Sequence, residues 1–176
     1  MKLVFRLCLA LAVAVLAAHT STANAQAIRD AGSKIRGSSG YSHRGGYRSL
    51  WHARDYAGDY RSYSSDARRE NRRVAPEEAQ EHAEGLGHNI KKAQKHFADA
   101  RKHAGTDKET IAALEKIDAL LAAALKSHAE MAEMCKHEEI DAEGTMKCCT
   151  DAEAALEKAI AEHEKLIKRL AAKPAK

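Results

Sequence analysis

The chain has 176 residues, 44% of them hydrophobic, 31% charged and 5% aromatic, with a formal net charge of +4. That length allows one ordinary domain at most once a leader is set aside, and nothing in the total charge marks a specific nucleic-acid binder. Beyond the first segment, no stretch approaches the roughly 20 apolar residues that a membrane-spanning helix needs.

The first segment has the build of a secretory signal peptide. Lys2 and Arg6 precede an apolar run from Leu7 to Ala18, a polar stretch follows, and Ala23-Asn24-Ala25 supplies a small-residue cleavage site. Cleavage near Ala25 is expected, giving a periplasmic or secreted protein and removing Cys8 with residues 1–25.

Residues 26–75 carry eleven Lys/Arg against five Asp/Glu, a net of +6, whereas the residues after Ala75 carry sixteen against twenty, a net of −4. The near-neutral total thus joins a basic segment to an acidic body. All five tyrosines and the single tryptophan fall between Tyr41 and Tyr63. Gly, Ser and Arg dominate this segment while Val, Ile and Leu are scarce, so it is expected to be a disordered arm. Leu50, Trp51, Tyr56, Tyr60 and Tyr63 partly share a face, which allows a short helix near residues 47–63. As a contact element its arginines and tyrosines would suit an anionic envelope polymer; otherwise it is a spacer that leans on its own acidic body.

Residues 76–172 are expected to form an all-α, three-helix antiparallel bundle in up-down-up order, with residues 173–176 a tail. The spacing predicts helices over about 77–104, 107–139 and 144–172. Pro76 opens the first and Gly105 closes it; Thr106 and Glu109 form a capping-box pattern for the second. In the first helix Ala79, Ala83, Leu86, Ile90, Ala93, Phe97 and Ala100 alternate steps of four and three. The second repeats this with Leu114, Ile117, Leu121, Ala124, His128, Met131 and Cys135, and the third with Cys149, Ala152, Leu156, Ala159, His163, Leu166 and Leu170. Such seams belong to left-handed bundles. They are rich in alanine, so a core of three helices would be thin, and self-association, for instance into a six-helix dimer, is expected to complete it.

The stretch HAEMAEMCKHEEIDAEGTMKCC, residues 128–149, concentrates two histidines, three methionines and three cysteines. His128, Met131 and Cys135 continue a seam that begins with leucines, and chain reversal should set Cys135 beside Cys149. Helix register puts His82 about level with His128 and Met131, below Gly85 and Gly87. Thiolate and thioether select Cu(I), and imidazole suits copper and zinc. The expected metal ligands are therefore Cys135, Cys148, Cys149, Met131 and His128, with Met146 and His82 as alternates, copper first and zinc second. An exported compartment also permits a disulfide between Cys135 and Cys148 or Cys149, leaving one thiol over. His163 is either a hydrogen-bonded core imidazole or faces His96 or His128.

No haem-attachment motif, zinc-protease motif, di-iron pair, nucleophile elbow, P-loop or dinucleotide fingerprint occurs. Neither an enzyme nor an organic cofactor is expected. The chain reads as an exported metal buffer or carrier. Its rival is an envelope-associated structural or interaction protein, stapled by a disulfide and bound through its arm.

Overall fold

The structure, a computed structural model, describes residues 35 and 37–172; the signal-peptide reading, with its cleavage near Ala25, lies outside the described residues. These form four helices and no strands: α1 (Gly37–Arg69), α2 (Pro76–Lys102), α3 (Lys108–Met134) and α4 (Ala142–Ala172). Each packs against two neighbours, α1 and α3 both lying between α2 and α4. Neighbours run antiparallel. Tyr60 meets His82 and the early part of α1 meets Phe97, while Met131 meets Cys149 and Glu109 meets Arg169.

The expected three-helix bundle is therefore a four-helix bundle, and the expected arm supplies its fourth member. Glycine and serine make α1 a poor helix by itself, each interior Gly costing about 1 kcal/mol relative to Ala. Packing overrides that propensity. Gly46, Leu50, Ala53, Ala57, Tyr60, Ser64 and Ala67 are all buried, and their spacing alternates four and three residues, as in the other seams. Small residues on this face let α1 approach α2 closely, and Phe97 packs directly over Gly46. The helix ends where Asn71 adopts a left-handed φ of 52°. The Arg72 and Asn71 amides then donate back to the Ala67 and Arg68 carbonyls, a Schellman cap with Asn at the left-handed position.

The three anticipated seams are buried nearly as read. Ala79 through Ala100, Leu114 through Ala124 and Cys149 through Leu166 lie in one core with Leu50 and Tyr60. Two helix ends differ. Asp107, not Thr106, caps α3: its carboxylate accepts from the Thr110 amide at 3.3 Å and from the Thr110 hydroxyl at 2.7 Å. α3 stops at Met134 rather than near residue 139, because Glu138, Glu139 and Asp141 would load negative charge on a helix C-terminus. Asp141 instead caps α4, accepting from the Glu143 and Gly144 amides at 3.1 and 3.0 Å. The fourth helix closes the core within one chain. Among the described residues, no helix is long and apolar enough to cross a membrane.

The opposite charges of the two sequence halves meet along the α1–α4 contact. Glu153, its side chain 12% exposed, lies between Arg54 at 3.7 Å and Arg61 at 3.2 Å. Arg54 also reaches Glu157 and Arg68 reaches Glu143. Pairs at the surface contribute only about 0–1 kcal/mol each, so they chiefly set which face of α1 turns inward.

His163 is a buried core imidazole as one reading had it, but its partner is His43 of α1 rather than His96 or His128. His43 Nδ1 and His163 Nε2 lie 3.2 Å apart, with Phe97 and Tyr47 against the His163 ring. Burial lowers His43 to about 4 and holds His163 well below its usual range. Both are neutral in the fold, and an unfolded chain takes up their protons first as pH falls below about 6.5. Stability present above pH 6.5 is thus lost as pH falls toward 4. Denaturant unfolding across that range should show a drop on the order of 3 kcal/mol from His43 alone. The double variant His43→Leu, His163→Phe should flatten the profile. In the same assay Leu50→Ala should destabilise the bundle by about 2–5 kcal/mol, whereas a disordered arm would make it neutral.

Candidate metal centre

α3 and α4 place the sulfur at the end of the bundle where their connection reverses the chain. Met131 and Cys149 are fully buried, at 1% and 0% exposure, and Cys149 Sγ donates toward Met131 Sδ at 3.4 Å. Cys135 occupies the C-cap of α3, its amide bonded to the Met131 carbonyl. Cys135 and Cys148 are buried at 6% and 7% exposure, and all three cysteines are free thiols.

Tyr60 of α1, from the segment expected to be an arm, reaches into this group. Its hydroxyl donates to Thr145 Oγ1 at 3.3 Å, and Thr145 in turn donates to the Asp141 carbonyl at 2.8 Å. The Tyr60 hydroxyl also opposes the upward shift of the Cys135 thiol. The C-terminal part of α1 and the start of α4 are thereby tied together beside the buried cysteines. The heptad spacing of Tyr60 with Ala53, Ala57 and Ser64 was the signal that could have found it.

The thiols are held protonated at neutral pH. Burial pushes Cys149 up to about 12, helped by Cys135, Cys148 and Glu153 and opposed by Arg61. Burial also raises Cys135, with Cys148 adding to it and the Tyr60 hydroxyl opposing. Cys148 is raised by burial and by Glu130 and Asp151. A soft metal ion binding here would have to displace these protons.

The other expected ligands stand apart from the sulfur. His128 turns to α2, where its Nε2–H donates to the Ala83 carbonyl at 2.8 Å. That approach needs Gly87, because a Cβ there would come within 2.5 Å of His128 Nε2. His82 faces α1 and packs among the rings of Tyr56, Tyr60 and Tyr63 at 5.6–6.5 Å between centroids. Its Nδ1 is buried with no hydrogen-bond partner. Met146 is half-buried on α4. Met134 packs its sulfur toward Gly144. His88 and His137 are exposed.

Among the described residues, no three His, Cys, Asp or Glu side chains are grouped to hold a metal ion. The contact that does form joins one thiol to one thioether, Cys149 to Met131, with Cys135 and Cys148 buried at the same end of the bundle. Zinc takes its four ligands from thiolate, imidazole and carboxylate, so the cluster fits it poorly. Cu(I) accepts thiolate and thioether together.

Burial orders the thiols by reactivity. Iodoacetamide labelling read by mass spectrometry should modify Cys148 and Cys135 before Cys149, which should react only as fast as the whole chain unfolds. Equal rates at Cys148 and Cys149 would contradict the packing described. No protein-family model matches the chain, and no curated protein or solved structure is found to be similar to it, so the reading of this centre rests on its own chemistry.

Proposed function

We propose that the protein is an exported, non-enzymatic carrier or buffer of a soft metal ion, Cu(I) first. Cys135, Cys149 and Met131 are its ligands, and Cys148 is the further thiol. The single observation behind this reading is the 3.4 Å approach of Cys149 Sγ to Met131 Sδ, beside two more buried thiols. A thioether in the shell favours Cu(I) over harder ions. The thiols supply charge only on deprotonation, so affinity should rise with pH by about one proton per coordinating thiol. His128, His82 and Met146 are left out of the shell. A rigid helical scaffold suits holding an ion in a fixed geometry.

Anaerobic Cu(I) titration against a competing chelator tests this. The wild-type chain should bind with defined stoichiometry and unfold at higher temperature when loaded. Replacing Cys135, Cys148 and Cys149 with Ser should abolish binding. Met131→Leu should weaken it while leaving the thiol count unchanged. Unchanged stoichiometry in the triple Ser variant would defeat the proposal.

A second reading is favoured by the outward face of α1. Tyr41 and Trp51 are the large hydrophobics exposed among the described residues, at 67% and 37%, and Arg54 lies over the Trp51 ring at 5.6 Å. With exposed Arg48 on the same stretch, this face suits an anionic envelope polymer. Tyr41→Ala with Trp51→Ala should remove sedimentation with such a polymer and leave metal binding intact.

A further inference from the structure

The first third of α1, residues 37–49, reads GSSGYSHRGGYRS, four glycines and four serines in thirteen positions. A helix of that composition has little stability of its own, so it stays folded through what it touches. Three imidazoles take part. His43, its own, sets Nδ1 3.2 Å from Nε2 of His163 on α4. Tyr47 and Phe97 lie against the His163 ring at 5.5 and 5.0 Å between centroids. His96 of α2 packs on Gly45, where a Cβ would clash with the ring, and meets Tyr41 edge-on at 6.0 Å. The rest of α1 is held differently. Leu50, Ala53, Ala57 and Tyr60 are fully buried there, and Arg54, Arg61 and Arg68 reach acids of α4.

The His43–His163 contact has room for one proton, with one nitrogen donating and the other accepting. A second proton would set two N–H groups head to head at 3.2 Å. It would also charge rings that are 2% and 1% exposed, in a site where His163 Nδ1 has no hydrogen-bond partner. The acids that flank His163 in α4 are engaged elsewhere. Glu164 accepts from the Tyr47 hydroxyl at 3.0 Å, and Glu162 pairs with Lys165 and with Lys116 of α3 at 2.9 Å. On α1, Arg44 and Arg48 near His43 are exposed. On α2, Lys92 and Lys95 oppose a charge on His96, and Asp99, paired with Lys102 at 2.8 Å, favours one. Burial is the largest effect on all three imidazoles and disfavours their charged forms.

We propose that residues 37–49 are an acid-released strap: protonation of the His43–His163 pair detaches this third of α1 from α2 and α4, while residues 50–69 stay docked. Release lets each imidazole take up its proton in water, and it uncovers Phe97 and the His163 ring. The sulfur end of the bundle is left in place, because Gly46 and Tyr60 are fourteen residues apart, about 21 Å along the helix. The sign follows from the buried imidazoles being neutral. The closed strap has its full stability above pH 6.5 and loses it as pH falls toward 4. From His43 alone, the opening equilibrium should rise about thirtyfold between pH 7.5 and pH 5.

Amide hydrogen exchange of the full chain, read by mass spectrometry at pH 7.5 and pH 5 and corrected for intrinsic exchange rates, tests the strap. Protection over residues 37–49 should fall about thirtyfold or more, while protection over residues 50–69 is kept. Trp51, the single tryptophan, lies 6.2 Å from Tyr47 at the junction of the two parts, so its emission should change over the same pH range. His43→Asn keeps a hydrogen-bonding amide near the Nδ1 position but takes up no proton, and His163→Phe removes the other imidazole. Each variant, shown to be folded at pH 7.5 by circular dichroism, should lose less protection over residues 37–49 than the wild-type chain does. Unchanged wild-type protection over residues 37–49 would overturn the strap, as would an equal loss across all four helices. A wild-type loss in both folded variants would overturn the role of the pair. If a variant does not fold, the wild-type comparison of residues 37–49 with residues 50–69 decides.

Discussion

The fold depends on the close contact that the small residues of α1 permit. Gly46, Ala53, Ala57, Ser64 and Ala67 alternate around Leu50 and Tyr60, all buried. A helix of such residues gains little from intrinsic propensity and gains its stability from the face it presents. Once docked, it gives a thin, alanine-rich core its fourth wall, and it inserts Tyr60 beside the cysteines. Without that wall, His43, His163 and the sulfur cluster would all stand closer to water, and none of their shifted ionisation would follow.

Charge and packing support one another along this contact. The basic residues of α1 lie against acids of α4, with Glu153 held between Arg54 and Arg61. The charge asymmetry that suggested an arm seeking an anionic partner is partly spent inside the molecule. What remains outward on α1 is aromatic as much as basic, with Tyr41 and Trp51 exposed.

The sulfur cluster and the histidines also separate into two roles. Buried thiols that hold their protons are poor nucleophiles, yet they become strong ligands when a soft ion displaces those protons. Histidines on the same helical spacing do not join them, because each finds a nearer partner: His128 the Ala83 carbonyl, His82 the tyrosines of α1, and His163 the ring of His43. The result is a buried Cys149–Met131 contact from which the imidazoles stand apart.

The sequence by itself determined the helical class and the seams of α2, α3 and α4. Each follows from a local period of three and four residues, which fixes a face without knowledge of what covers it. α1 has the same period, but its glycine, serine and arginine content matches that of a disordered chain, and composition concealed it. Only the tertiary structure decided that this segment docks. The free energy that orders it comes from neighbours distant in sequence, as Phe97 over Gly46 shows. The directions of the His128 and His82 rings were likewise undetermined. A seam position places a residue on a face, but the hydrogen-bond acceptor or aromatic ring that turns its side chain belongs to another helix.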